Sequence, residues 1–383
     1  MTTYIYELKN WPDFRWNEGL IAQRLAPLRH RQGKLTGRME ALGFELRAEA
    51  VLATLTQDVL KSSEIEGEIL NKEQVRSSIA RRLGMDIGAL APADRDVEGV
   101  VEMMLDAAQR YTEPLTDARL FAWHAALFPA GRSGMRKITT GAWRGGSSDP
   151  MQVVSGPLGR ELVHYEAPAA ARLAAEMKAF LKWFAGDERL DPVLKAAIAH
   201  LWFVTIHPFD DGNGRIARAI ADMALARSEQ SPQRFYSMSA QIRLERNAYY
   251  DVLEATQKGG LDITDWLAWF LACMDRAIAG AEAALSGVIH KARFWEAIKE
   301  QPLNARQRMV INRLLDGFEG KLTSSKWATL TKSSADTALR DITDLIARGV
   351  LVKEEAGGRS TSYSLVDRPQ PTPSAVPQSP GTF

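Results

Sequence analysis

The sequence predicts a mainly α-helical chain with one small β-hairpin inserted in its core and a second hairpin near its C-terminus. Three observations predict this fold class. Apolar residues repeat at helical spacing along most of the chain, and a stretch rich in glycine and β-prone residues interrupts them at 139–165. After residue 304, three short helical segments precede two β-prone runs. We find no internal repeat of fixed period.

Residues 191–206 predict a largely buried helix. Asp191 and Pro192 suit the N-cap and the first turn, and most of the residues that follow are apolar. A second helix is predicted to begin near Gly214. Its apolar positions repeat at helical spacing: Ile216, Ile220 and Met223. The turn between the two helices therefore opens directly onto a helix N-terminus, where free amides bind anions.

That turn and the start of the second helix read His-Pro-Phe-Asp-Asp-Gly-Asn-Gly-Arg-Ile-Ala-Arg from 207 to 218. His207 is suited to act as a general base near neutral pH. Asp211 is a hard oxygen ligand, suited to a Mg²⁺ ion that keeps most of its waters. Arg215 and Arg218 can each bind phosphate with a forked guanidinium. The run therefore predicts nucleotide phosphate chemistry.

The same run resembles the signature of the Fic family, H-x-F-x-D/E-G-N-G-R-x-x-R, at every specified position. The resemblance implies a Fic-type helical bundle core and AMP transfer (AMPylation). His207 would deprotonate a Ser, Thr or Tyr hydroxyl, which attacks the α-phosphate of ATP and releases pyrophosphate. Asp211 would hold Mg²⁺, with Mn²⁺ as the alternative. The resemblance places six residues at the ATP site: Phe209 as loop anchor, Gly212, Asn213, Gly214, Arg215 and Arg218. The alternative is an ordinary pair of helices with a core histidine.

A helix predicted to begin near Arg47 ends in polar residues. Its apolar face consists of Leu52, Leu55 and Val59. The same face continues to Ser62 and Glu66. A carboxylate on a packing face needs a partner, and Arg218 is a credible one. The alternative is that Ser62 and Glu66 fray into solvent before Gly67.

The segment Ser62-Ser63-Glu64-Ile65-Glu66-Gly67 resembles the motif S/T-x-x-x-E-G/N of Fic enzymes that inhibit themselves through an N-terminal helix. In that class the glutamate pairs with the second arginine, here Arg218, and keeps the ATP γ-phosphate from its productive position. The resemblance thus assigns Ser62, Glu66 and Gly67 to inhibition. The same glutamate could align a water that removes AMP, and the sequence does not separate these roles.

Two β-prone runs, 152–157 and 161–165, surround a Ser-Gly-Pro turn and predict a hairpin. In the Fic fold the equivalent hairpin, the flap, lies over the active site and binds a target segment by strand addition. The alternative is a surface loop. Farther on, Asn247 and Tyr250 lie in a segment that resembles the lining of the adenosine pocket. Core packing of the tyrosine is the alternative there.

Helices predicted at 304–315, 325–330 and 334–347, followed by strands at 350–353 and 360–365, resemble a winged helix-turn-helix. Such a module, within 304–366, binds DNA or serves in protein contact, including homodimerisation. Four basic residues could meet phosphates: Lys332, Arg340, Arg348 and Arg359. Three acidic residues of the third helix oppose a phosphate surface: Asp336, Asp341 and Asp344.

Composition is typical of a folded, soluble chain. The 383 residues carry 48 basic and 47 acidic side chains, so no global charge indicates nucleic acid or membrane. The single cysteine, Cys273, excludes an intrachain disulfide, and neither a signal peptide nor a membrane span is predicted. We therefore expect a cytoplasmic protein, and the resemblance suggests a bacterial one.

Four regions are predicted along the chain. They are a helical region at 1–92 with the inhibitory helix, a catalytic core at 93–285, the winged module at 286–366 and a proline-rich disordered tail at 367–383. The function that the sequence favours is a protein adenylyltransferase that modifies target proteins and itself. The alternative is a DNA-binding regulator that uses the core as a nucleotide sensor. Nucleotide donors other than ATP are not excluded.

Overall fold

The computed structural model describes residues 3–41, 44–85, 92–146, 150–156, 160, 162–186, 190–315, 318, 320–354 and 361–366. Within these ranges the chain forms fourteen α-helices and three two-stranded antiparallel hairpins, so the predicted fold class is confirmed. The predicted tail at 367–383 and residues 355–360, with Arg359, lie outside the described residues. No helix in the described ranges is long and apolar enough to cross a membrane.

The chain divides into two compact units, Met1–Ala281 and Glu282–Phe383. The helices that begin in the first unit are α1 Glu18–Glu40, α2 Phe44–Ile65, α3 Lys72–Arg82, α4 Arg95–Gln109, α5 Asp117–Leu127, α6 Leu173–Ala185, α7 Pro192–Ile206, α8 Asn213–Glu229, α9 Met238–Leu244, α10 Arg246–Gln257 and α11 Thr264–Ala297. The boundaries predicted at 92, 285 and 366 stay predictions.

Helices α7 and α8 form the centre of the first unit. Almost every side chain of α7 is buried, which explains why its sequence is apolar all round. Asp191 caps α7 by accepting a hydrogen bond from the Val193 N–H at 2.8 Å. Helix α8 packs against α7 and is buried along most of its length, including Arg215 and Arg218. The turn between them, predicted from sequence, is therefore held inside the core.

Helix α2 packs its predicted apolar face inward and ends one residue before Glu66. The expected continuation of the helix to Glu66 is therefore wrong. Gly67 takes a φ of 86°, and the N–H groups of Gly67 and Glu68 donate to the carbonyls of Glu64 and Ser63 at 3.1 and 3.0 Å. These two bonds form a Schellman motif, which ends a helix at a glycine.

The predicted hairpin is confirmed as β3 Gln152–Ser155 paired antiparallel with β4 Leu162–Glu166. Its tip lies outside the described residues. The Tyr165 side chain anchors β4 in the core, where its hydroxyl donates to the Thr205 carbonyl at 2.6 Å. A smaller hairpin, β1 Arg132–Ser133 with β2 Arg136–Lys137, was not predicted.

The second unit contains α12 Ala305–Leu315, α13 Ser324–Thr331, α14 Ala335–Ala347, β5 Leu351–Lys353 and β6 Tyr363–Leu365. These elements agree with the predicted three helices and hairpin to within a few residues at each end. Asn304 caps α12 by accepting from the Gln307 N–H at 2.9 Å. Trp327 and Ile342 are fully buried in a separate core that this unit builds for itself.

Candidate active site

His207 lies directly after α7, and its backbone takes the left-handed conformation with a φ of 52°. Its ring Nδ1 lies 3.3 Å from the Val204 carbonyl oxygen. Because a carbonyl only accepts, Nδ1 carries the proton and the Nε2 lone pair remains available. Burial, with a smaller contribution from the charge of Arg144, lowers the pKa of His207 to about 4. The imidazole is therefore in its basic form at neutral pH.

Phe209 and Asn213 hold the loop that follows. Phe209 is fully buried and stacks on the His124 ring at 4.2 Å between centroids, in agreement with its predicted anchoring role. The Asn213 side chain accepts from the Phe209 N–H at 3.0 Å and donates to the Phe209 carbonyl at 2.8 Å. The amide oxygen and the amide nitrogen thus both take part in shaping the turn, and the assignment of Asn213 to the ATP site stays a prediction.

Gly212 is required by its backbone conformation and by space, and Gly214 leaves room for the Glu66 side chain. A Cβ atom on Gly212, whose φ is 78°, would lie 2.9 Å from Cε2 of Phe128. A Cβ atom on Gly214 would lie 2.2 Å from Oε1 of Glu66. Close approach of the chain on both sides of Asn213 therefore depends on the absence of side chains.

Asp211 accepts a hydrogen bond from the Gly212 N–H at 2.6 Å and another from the Ser133 hydroxyl. No group of three or more His, Cys, Asp and Glu side chains that could hold a metal occurs within the described ranges. This donor set does not fit a resident metal cage. It fits a Mg²⁺ ion that is bound by one carboxylate and completes its shell with water and nucleotide phosphate oxygens.

Arg218 is buried, and the end of α2 supplies its partners. Its Nε donates to the Ser62 hydroxyl at 2.9 Å, and its Nη2 donates to the Ser62 carbonyl and to Oε1 of Glu66, both at 2.8 Å. Ser62 is fully buried and the Glu66 side chain is 31% exposed. The alternative that these two residues fray into solvent is therefore wrong.

Arg215 has a carboxylate partner that the sequence did not predict. Its Nη1 donates to Oε2 of Glu68 at 2.6 Å, and its guanidinium lies 5.0 Å from the Phe128 ring centroid. Burial raises the pKa of Glu68 above its ordinary value, although the charge of Arg215 lowers it. The only signal in the sequence was the alternation of Glu64, Glu66 and Glu68.

Two further residues support the site and carried no signal in the sequence. Arg144 donates from Nε to the His207 carbonyl at 2.8 Å, and its N–H donates to the Pro208 carbonyl at 2.9 Å. Ser133, on β1, binds Asp211. Both come from the segment between α5 and the flap, far from 207–218 along the chain.

The two residues predicted at the adenosine pocket lie on α10. Tyr250 is partly buried and its ring lies 5.1 Å from the guanidinium of Arg246, whose Nε donates to the Ile65 carbonyl at 2.9 Å. Asn247 is exposed. The neighbouring Tyr249 is a core residue, as its ring is buried. Tyr250 therefore lies beside the end of α2, and its role stays a prediction.

A chain of three side chains ties the flap to α10. His164 on β4 lies 2.6 Å through Nε2 from the Ser155 hydroxyl and 2.7 Å through Nδ1 from Oε2 of Glu254. Since the carboxylate accepts, Nδ1 donates to Glu254. We call the set of Ser155, His164 and Glu254 the flap clasp.

Comparisons with known proteins agree with this geometry. Residues 114–225 match the Fic/DOC family, and residues 4–85 match a family described as a domain of unknown function (DUF4172). The part of the chain that matches the Fic/DOC family includes His207, Arg215 and Arg218.

Curated relatives are named protein adenylyltransferase Fic. The one from Aedes aegypti is 26% identical over 291 residues, covering 74% of this chain and 50% of the relative, and the one from Culex quinquefasciatus is 27% identical over 228 residues, covering 58% and 40%. The chain thus spans about half the length of the curated relatives it matches. A Fic family protein from Desulfovibrio desulfuricans has the same fold, with a TM-score of 0.52 at 20% identity over 94% of this chain and 99% of that one.

Proposed function

We propose that this chain transfers AMP from ATP to a Ser, Thr or Tyr hydroxyl of target proteins and of itself. The observation that supports this most is the arrangement of the 207–218 turn. A histidine with an available Nε2 lone pair lies at one end, and two buried arginines lie at the other on one helix. The Fic domain and the names of the curated relatives support the same reaction.

In the proposed reaction His207 Nε2 takes the proton of the target hydroxyl as that oxygen attacks the α-phosphorus of ATP. The bond from the α-phosphorus to the bridging oxygen breaks, and pyrophosphate leaves with the electron pair. Arg215 and Arg218 bind the outer phosphates, where fixed positive charge stabilises the departing group. Asp211 would hold Mg²⁺, and the ion would supply further positive charge for the phosphates.

We further propose that Glu66 inhibits the transfer through Arg218. Glu66 lies 2.8 Å from Nη2 of Arg218 and so competes with the γ-phosphate for this donor. Hydrogen bonds to charged groups contribute about 1.5–3 kcal/mol each, which changes occupancy of the productive pose by roughly 10- to 150-fold. A roughly 10- to 150-fold lower occupancy would leave little AMP transfer activity in the inhibited enzyme.

Transfer of label from α-³²P-ATP tests both proposals. Wild type, Glu66→Gly and Glu66→Gly/His207→Ala are incubated with Mg²⁺ and a cell lysate, and label on protein bands is followed. We expect strong labelling by Glu66→Gly, weak labelling by wild type and none by the double variant. Equal labelling by wild type and Glu66→Gly would contradict inhibition, and no labelling by any variant that binds ATP would contradict AMP transfer.

Glu66 is also placed to serve the reverse task. A carboxylate that is 31% exposed beside a phosphate site can orient a water for hydrolysis of an AMP ester. Incubating a purified AMP-modified copy with wild type and Glu66→Gln separates the roles. Release of AMP by wild type and not by Glu66→Gln would assign removal to this residue.

We propose that the flap binds a segment of the target protein by adding it as a strand to the β3–β4 hairpin. The flap clasp supports this by fixing the hairpin on α10. We expect His164→Ala to raise amide hydrogen exchange in 152–155 and 162–166 by roughly fivefold, because a half-exposed charge-assisted hydrogen bond contributes about 1 kcal/mol.

A control for the flap clasp is Gln152→Ala, which removes a side-chain contact to Glu166 within the hairpin and leaves α10 untouched. Exchange in this control should stay near the wild-type rate. Similar exchange in both variants would show that the clasp does not hold the flap.

For the second unit we propose protein contact, homodimerisation among the options, in preference to DNA binding. The exposed side of α14 presents Leu339 and Ile346, which are 51% and 38% exposed, together with Asp336. Arg348 is paired with Asp344 at 2.8 Å. Arg340 is exposed on the same helix and balances the charge of Asp336, so this apolar face offers little attraction to a phosphate backbone. Retention on a duplex DNA column at 50 mM salt would contradict this proposal.

A further inference from the structure

The segment after α2 brings two carboxylates to the two arginines of α8. Glu66 binds Arg218 at 2.8 Å, and Glu68 binds Arg215 at 2.6 Å. Glu66 and Glu68 flank Gly67, and the Schellman motif at Gly67 fixes the backbone between the two glutamates. The arginines are three positions apart and so lie on one helix face. The result is a double ion pair.

Each of the two carboxylates leaves an N–H donor of its arginine without an acceptor among the described residues. Nε of Arg215 and Nη1 of Arg218 are buried and have no hydrogen-bond partner among the described residues. A guanidinium has five N–H donors in a fork that matches phosphate. Unpaired buried N–H groups beside each fork indicate a site that is built for more acceptor oxygens than the two glutamates present to it.

The Glu68 contact is strong enough to matter for nucleotide binding. The Arg215 side chain is 3% exposed, so it depends on a nearby anion, whereas Glu68 is 45% exposed and remains partly solvated. Discounting a charged hydrogen bond for this exposure gives an effect of roughly 5- to 30-fold on an anion that competes for Arg215.

We propose that Glu68 is a specificity residue. Together with Glu66 it occupies the positions of the outer phosphates, so the site with this segment docked prefers a nucleotide with one phosphate over a triphosphate. The ligand class in the docked state is AMP or an AMP ester on a protein. This inference rests on the proposed function, because it assigns the outer phosphates to Arg215 and Arg218.

Calorimetric titration tests it without any turnover. The probes are AMP and an ATP analogue in which a methylene group replaces the oxygen between the α- and β-phosphates, each with Mg²⁺. For Glu68→Gln and Glu68→Ala we expect 5- to 30-fold tighter binding of the triphosphate analogue than in wild type. Binding of AMP should change less than twofold. The matched control is Glu64→Gln, which removes a carboxylate of the same segment that pairs with Lys61 and leaves both arginines untouched.

Two results would overturn the inference. One is unchanged affinity for the analogue in both Glu68 variants that melt at the wild-type temperature. The other is an equal gain in affinity for AMP and for the analogue. Such a gain would show that the carboxylate acts on all bound anions through its charge and does not block one phosphate position. The titration remains informative if no variant transfers AMP, because that failure concerns the proposed reaction and leaves the ratio of the two affinities measurable.

Discussion

Replacing His207 by alanine in the Glu66→Gly background is expected to lower the rate of AMP transfer by roughly 10²- to 10⁴-fold, the usual contribution of a general base. The physical reason is that the variant lacks the imidazole Nε2 lone pair that accepts the proton of the target hydroxyl. Binding of ATP should remain, because the hydrogen bond from Arg144 that holds the loop goes to the backbone carbonyl of His207, which the substitution keeps. Initial rates of label transfer at saturating ATP measure the loss.

The pH dependence of the same reaction gives an independent check. Because the pKa of His207 is about 4, its basic form persists as the pH falls from 8 to 6, and kcat/KM should stay flat for this group. A histidine with its ordinary pKa of about 6.5 would lose roughly fourfold by pH 6. The contradicting result is a roughly fourfold fall in kcat/KM between pH 8 and pH 6 that a variant with another base at position 207 does not show. Such a fall would mean that the imidazole of His207 is not held in its neutral form.

Arg234→Leu is expected to destabilise the first unit by about 3–5 kcal/mol at pH 7, the cost of leaving buried charges without their partner. Arg234 binds Asp58 of α2 at 3.0 Å and Asp222 of α8 at 2.7 Å, and all three side chains are at least 92% buried. Urea unfolding monitored by circular dichroism measures the difference. The control is Arg243→Leu, which removes a 44% exposed arginine 3.5 Å from Glu64 and should cost less than 1 kcal/mol.

The destabilisation caused by Arg234→Leu should also depend on pH. Burial raises the pKa of Asp222 to about 7, so the folded state holds a proton that the unfolded state, with an ordinary pKa near 3.8, releases. The stability that this proton contributes falls as the pH rises from about 4 through 7. Removing Arg234 deletes a charge that lowers this pKa, so the deficit of the variant should shrink at pH 5. An equal deficit at pH 5 and pH 8 would show that Arg234 acts through packing alone.

The sequence predicted the elements whose cause is local. Asp191 caps α7, glycines permit the turn at 212–214, and the hairpin at β3–β4 follows from β-prone runs around a turn. It also predicted the partner of Glu66, because a carboxylate on an apolar helix face needs a cation. Each of these conclusions depends on neighbours within a few residues or on a single charge requirement.

The remaining contacts depend on how distant elements pack. Ser133 reaches Asp211, and Arg144 reaches His207, only because the segment before the flap folds over the loop. Helix α2 ends at Ile65, one residue earlier than predicted, and the chain turns at Gly67. This turn brings Glu68 to Arg215. The two hydrogen bonds between the Asn213 amide and the Phe209 backbone were likewise not predicted, because they depend on how the loop closes on itself.

Gly67, the left-handed residue between Glu66 and Glu68, has a consequence for activation if the proposed inhibition holds. Since Gly67 joins Glu66 and Glu68 without an intervening segment, a displacement of the α2 end releases both arginines together. The docked and released forms are then the two states of one equilibrium, and the two ion pairs do not open independently. An activator that moves this equilibrium from 1:99 to 99:1 must bind the released form about 10⁴-fold more tightly.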